Sequence, residues 1–232
     1  MNNKKIMKLN ETYDFYKSKV NEIMRHEQAQ TVLEVIENYF NFDYVEVIET
    51  GASSDNYDNF GILLGKIAES KNGIYHSVDI NEEYVESSKK MYLKELPKLN
   101  IKHYIGDSVE FLKNYSGKAN LIHLDSFDLD LFDPLPAILH GWLEFEAIKD
   151  KVPVGSICII DDNWLNGTYI DSVVYVDGKR TEDIKRVDVT YTILGKGAMV
   201  YHYVKQRDSG WEVVGNHYRP GNNIKLLLRK IK

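Results

Sequence analysis

Residues 45–56, VEVIETGASSDN, constrain this chain more than any other stretch. A strand-forming run leads into an acid, Glu49, and then into a turn of small residues, Gly51-Ala52-Ser53-Ser54. A second strand-like run at 73–78, GIYHSV, ends in Asp79. This order of features is the nucleotide-binding half of an α/β sheet domain. In such domains ligands lie at the carboxyl ends of the strands, where a tight turn brings backbone close and an acid can hold ribose hydroxyls. The pattern points to an adenosine-bearing ligand and makes an enzyme the leading reading.

The rest of the chain repeats the same alternation. Strands are expected at 44–49, 74–79, 101–105, 121–124 and 156–160, and helices at 60–69, 82–96, 109–115 and 135–149. Asn81 suits the cap of the second helix and Ser108 the cap of the third. The fifth strand lacks polar alternation, as a strand covered on both faces should. Such a rhythm gives parallel strands joined by right-handed crossovers. Apolar residues at helical spacing over 10–40 predict a helical cover, in one piece or two. After residue 163 the character changes. Residues 163–195 form a long polar insertion with a hairpin signal, VVYVDGKR, and Asp177-Gly178 as its turn. A helix over 197–206 and an antiparallel pair, 211–217 with 224–229, close the chain.

Composition narrows the class. The 232 residues can bury a sizeable core, and one domain over 1–232 is the simplest count, with 1–41 as its helical extension. A net charge of −6 disfavours a broad nucleic-acid surface. No run approaches the length of a membrane span. No secretory signal is visible, and Cys158, the single cysteine, reads as a buried thiol, so the cytoplasm is the expected location.

On these residues the chain resembles a class I S-adenosylmethionine-dependent methyltransferase over residues 42–231. The resemblance implies a Rossmann-like, mostly parallel seven-stranded sheet of order 3-2-1-4-5-7-6 ending in an antiparallel hairpin. The first cofactor motif looks like Glu49-Thr50-Gly51-Ala52-Ser53, the ribose acid like Asp79, the adenine position like Gly106-Asp107-Ser108, and the strand-four motif like residues 121–125. S-adenosylmethionine is the implied cofactor and a small-molecule oxygen or nitrogen the implied methyl acceptor. Metal-dependent catechol and caffeoyl-coenzyme A O-methyltransferases carry an acid after strand four and an Asp-Asn pair after strand five. Asp125 and Asp162-Asn163 match those positions, and their oxygens suit magnesium. The first motif departs from the family at Ser54, Asp55 and Asn56, which fill a stretch where a further glycine is usual. The catechol-type base, a lysine, is replaced by Asp128.

Bland readings stand beside these. Asp107 can cap a helix instead of touching adenine. Residues 161–163 can be a polar strand exit. His123 reads as a core histidine with its hydrogen bonds met. His140 packs on its helix, or serves as a base if it faces the cleft. Trp164 and Tyr169 line an acceptor pocket or cover the sheet edge, and the insertion is a substrate-shaping lid or an oligomer contact. Two rival functions remain at this stage. One is a noncatalytic adenosine-binding or assembly protein. The other is an aminopropyltransferase-like enzyme, since residues 124–128, LDSFD, resemble the acidic loop of spermidine synthase.

Overall fold

The computed structural model describes residues 9–53, 60–165, 169–176, 179–188, 192–215 and 224–232. Two helices come first, α1 (Leu9–Lys17) and α2 (Ile23–Tyr39). Five strands alternating with four helices follow: β1 (Glu46–Thr50), α3 (Phe60–Ser70), β2 (Ile74–Asp79), α4 (Glu82–Glu95), β3 (Asn100–Ile105), α5 (Ser108–Asn114), β4 (Leu121–Leu124), α6 (Leu135–Ile148) and β5 (Ile157–Leu165). The remainder is β6 (Tyr169–Val176), β7 (Lys179–Asp188), β8 (Ile193–Gly195), α7 (Ala198–Val204), β9 (Trp211–Gly215) and β10 (Ile224–Lys230). The main sheet runs β3-β2-β1-β4-β5-β10-β9, which is the expected order with β10 and β9 as its seventh and sixth strands. β1 to β5 pair in parallel and β10 pairs antiparallel with both of its neighbours.

The alternation of side chains across each strand builds a core on either face. Val47, Leu121, Ile157, Ile159 and Leu227 join one cluster with residues of α1, α2, α3 and α4. Ile48, Ile122, Cys158, Ile160 and Leu228 join the other, with residues of α5, α6 and α7. Both faces are covered, so the strands read as continuous apolar runs. The N-terminal cover consists of two helices: α2 lies on β9 and β10, and α1 on α2 and α3. No described helix is long and apolar enough to cross a membrane.

The structure settles one sequence expectation and corrects another. Of the two caps the sequence offers for α5, the structure takes Asp107 and not Ser108: the Asp107 carboxylate accepts from the Glu110 amide at 2.8 Å, and Ser108 is the first helical residue. Residues 161–163 are not a strand exit. β5 continues to Leu165 because β8 pairs with it antiparallel, Asn163 opposite Gly195, Trp164 opposite Leu194 and Leu165 opposite Ile193. The backbone turns left-handed at Asp162, with φ 53°, as expected of a bulge that re-aims side chains. Trp164 packs with Leu131 and Leu194. The hairpin of the insertion, β6 with β7, is longer than the sequence signal. Its Asp177-Gly178 turn, the Tyr169 side chain, the connection at 216–223 and Ser54 to Asn56 lie outside the described residues.

Gly195 has φ 128°, and a Cβ there would overlap the Asp162 carbonyl oxygen. Gly195→Ala should therefore lift β8 from β5 and destabilise the protein by about 2–3 kcal/mol. Urea unfolding should show a lower midpoint at unchanged slope.

Candidate active site at the carboxyl ends of the central strands

Residues at the ends of β1, β2 and β4 are in contact with one another, and Asp161 and Asp162 of β5 join them through His123 and Lys196. Gly51 follows β1 with φ 79°; its amide donates to the Val78 carbonyl at 2.9 Å, and a Cβ would lie 2.5 Å from the Asp125 carbonyl oxygen. Only glycine combines that conformation with that closeness. The turn is tied to the second strand through Asp79, whose two oxygens accept from the Ala52 amide at 2.8 Å and the Asn81 amide at 2.7 Å. A carboxylate has about four acceptor positions, so Asp79 keeps capacity for further donors. Ile80, beside it, is largely exposed although apolar.

Glu49 is fully buried beneath the turn. It accepts from Ser53 Oγ at 2.6 Å, from the Ser53 amide at 3.4 Å and from Ser77 Oγ at 3.3 Å, and Tyr92 Oη lies 3.4 Å away. Ser53 Oγ accepts in turn from the Gly61 amide at 3.0 Å, which anchors the first turn of α3. A buried carboxylate is tolerable only with such donors or with a cation.

The cation is His123 of β4. It is buried, and neither ring nitrogen makes a hydrogen bond among the described residues, which corrects the expectation of a core histidine with its bonds met. Nδ1 lies 3.7 Å from Glu49 Oε1 and Nε2 3.7 Å from Asp161 Oδ2. Burial by itself lowers the imidazole pKa, but Asp161 and Glu49 outweigh it and hold it up at about 9. Asp161 is paired with Lys225 of β10, whose ammonium also sits 4.0 Å from the Phe60 ring centroid; this pairing overcomes burial and keeps the Asp161 carboxyl well below the usual range.

Asp125 follows β4. Its amide donates to the Thr50 carbonyl at 3.0 Å, and its Oδ1 accepts from Lys196 Nζ at 2.7 Å. The same ammonium lies 3.0 Å from Asp162 Oδ2 and 3.2 Å from the Asp125 carbonyl oxygen. Burial, aided by Asp161 and Asp162 and opposed by Lys196, pushes the Asp125 carboxyl up to about 8. Asn163 is committed elsewhere: Oδ1 accepts from the Gly197 amide at 2.7 Å, and Nδ2 donates to the carbonyls of Ile160 and Asp161 at 2.9 Å each. Asp125, Asp162 and Asn163 therefore do not fit a magnesium ion, because a lysine ammonium fills the space between the acids and the amide is used by backbone.

On the α6 side, His140 Nε2 lies 2.8 Å from Ser126 Oγ and 3.1 Å from Ser108 Oγ, and Ser126 donates to the buried Glu144 at 2.6 Å. The Phe127 ring stacks on the imidazole at 5.2 Å. Asp128 is exposed on the loop after β4 and stands apart from this network. Sequence reasoning missed Lys196, Lys225, Ser126, Glu144 and Ile80. Lys196 and Lys225 carry no local signal, since each meets its acid only through long-range strand pairing. Ile80 had a weak one, an apolar residue placed directly after the strand-end acid.

No protein-family profile matches the chain, and no curated protein matches it by sequence. Solved structures match it by fold. An rRNA methylase from Streptococcus thermophilus superposes with a TM-score of 0.52 at 11% identity, over 92% of this chain and 99% of that one. SMU.1697c from Streptococcus mutans, in complex with SAH, gives 0.51 at 12% identity over 96% and 97%. A candidate O-methyltransferase from Klebsiella pneumoniae gives 0.55 at 9% identity over 96% and 89%. At these identities the likeness is one of fold, and it agrees with the Rossmann-like strand order.

His123 supplies a pH test. Its folded pKa, about 9, is above the ordinary 6.5, so the native state holds a proton that the unfolded chain loses. That stabilisation is complete below about pH 6.5 and disappears as pH rises through about 9. Chemical denaturation should show a loss on the order of 3 kcal/mol across this window. His123→Gln should be less stable at pH 6 and show a flatter profile.

Proposed function

We propose that the protein binds S-adenosylmethionine at these strand ends and transfers its methyl group to an oxygen or nitrogen of a small-molecule acceptor. The observation that carries this reading is the convergence of Gly51, Asp79 and Asp125 at the ends of three adjacent strands. The site fits the cofactor's parts. The glycine turn, closed off by any Cβ, gives the methionine end access to backbone. Asp79 has acceptor capacity for ribose hydroxyls. Ile80 offers apolar surface for a flat base, and the amide end of α5 at Asp107 and Ser108 offers polar contacts for its edge. When bound, the cofactor supplies the electrophilic methyl group.

The chain's own residues then orient the acceptor and handle its proton. Among the described residues Asp125 Oδ2 accepts no hydrogen bond, and burial raises its carboxyl above the ordinary range, so that while Lys196 holds it ionised it is a stronger proton acceptor than a free aspartate. Asp125 holds the acceptor's O–H or N–H in line with the methyl carbon and receives that proton. His140 pins Ser126 and Ser108 at the ends of β4 and β3, and Asp128 extends the acidic rim toward a cationic acceptor. The four acids Glu49, Asp125, Asp161 and Asp162 face three cations, His123, Lys196 and Lys225. The acidic rim favours a small acceptor over an RNA. The buried Cys158 thiol suits a reducing cytoplasm.

Isothermal titration should give saturable binding of S-adenosylmethionine and S-adenosylhomocysteine. Asp79→Ala should weaken both by about thirtyfold or more, the loss of one or two charge-assisted hydrogen bonds. A folded protein that binds neither would overturn the assignment.

A further inference from the structure

We propose that Lys196 is a resident cation standing in place of a metal ion between Asp125 and Asp162, so that no chelated diol can be the acceptor. This rests on the methyltransferase reading for its catalytic meaning, but its geometry is independent of it. The ammonium is buried; it donates to Asp125 Oδ1 at 2.7 Å and to the Asp125 carbonyl at 3.2 Å, and forms an ion pair with Asp162 Oδ2 at 3.0 Å. Burial works against the charge, yet the two carboxylates outweigh it and push the lysine pKa up, so it stays cationic.

The backbone holds it there. The Lys196 amide donates to the Asp162 carbonyl at 3.2 Å, and the next amide, Gly197, donates to Asn163 Oδ1 at 2.7 Å. The asparagine that a metal would need as a ligand is thus the anchor of the lysine segment. Gly195, with φ 128°, gives the close approach to β5 that brings this segment over the acids.

A magnesium ion would ask for about six oxygens near 2.0–2.1 Å and would keep positions open for substrate. The ammonium supplies a positive charge whose hydrogen bonds go to Asp125. It offsets one of the two negative charges, holds Asp125 in place and, unlike a metal ion, has no open coordination positions with which to grip two acceptor oxygens. Among the described residues Asp125 Oδ2 accepts no hydrogen bond, and Asp128 on the following loop is exposed. An acceptor that donates one N–H or O–H, a cationic amine above all, meets that surface; a vicinal diol awaiting a metal does not.

The test uses manganese as the probe, followed by electron paramagnetic resonance and by melting temperature, on the natural chain, Lys196→Ala and Lys196→Met. Each variant is prepared with and without manganese. The natural chain should bind no manganese that Asp162→Asn removes, and millimolar metal should leave its melting temperature unchanged. At least one variant should bind one ion about tenfold or more tighter than the natural chain, with a rise in melting temperature, as ligand linkage requires. Asp162→Asn in the Lys196→Ala background should abolish that binding. Manganese bound by the natural chain at Asp162 would overturn the proposal. So would failure of both variants to bind the ion or to fold in its presence, since a free cation could then not occupy the place. In parallel titrations, catechol should show no manganese-dependent binding to the natural chain, and such binding would overturn the exclusion of a chelated diol. None of these readouts requires S-adenosylmethionine, so a failed cofactor titration and a failed lysine proposal are separate results.

Discussion

Burial of several carboxylates at the ends of adjacent parallel strands is the constraint around which this protein is organised. Glu49 lies near the end of β1, Asp125 follows β4 and Asp161 lies within β5; Glu49 and Asp161 are buried, and Asp125 and Asp162 are partly buried beside them. An unpaired buried charge is costly by several kcal/mol. The cations that offset these acids come from distant parts of the chain: His123 from the middle of β4, Lys196 from the segment after β8, and Lys225 from β10. The site and the C-terminal half of the sheet are therefore one electrostatic unit. β8 and β10 do more than close the sheet, because their pairing with β5 delivers the two ammonium groups.

Close packing at the turn after β1 completes the arrangement. Gly51 sits against the Asp125 carbonyl, and the Asp125 amide is tied to Thr50, so the first and fourth strands end at a fixed separation. Asp79 then clamps the same turn to the start of α4 through the Ala52 and Asn81 amides. Hydroxyl groups of Ser53 and Ser77 solvate Glu49 from inside.

Much of this was legible because the signals are local. A strand entering Glu49 and a small-residue turn, Asp79 at the next strand end, Asn81 before a helix, and apolar runs without alternation each depend on neighbours a few residues apart. They prescribed the alternating architecture, the strand order through the resemblance, and the positions of Gly51, Asp79 and Asp125. The cap of α5 was left open between Asp107 and Ser108 because both residue types cap well, and only the backbone conformation at 107 separates them. The end of β5 was placed too early because residues 161–163 have turn-like composition. Their strand conformation comes from β8, about thirty residues further on.

The sequence by itself determined the parallel α/β framework and the identity of the acids at its strand ends, since periodicity, turns and caps are set by short-range sterics and hydrogen bonding. Tertiary structure alone decided what those acids do. It turned Asn163 inward to hold Gly197, set His123 between two carboxylates, and placed Lys196 where the Asp-Asn pair had suggested a metal. The physical reason is that charge pairing in a buried site depends on distance in space, and strand pairing brings together residues whose separation along the chain carries no such information.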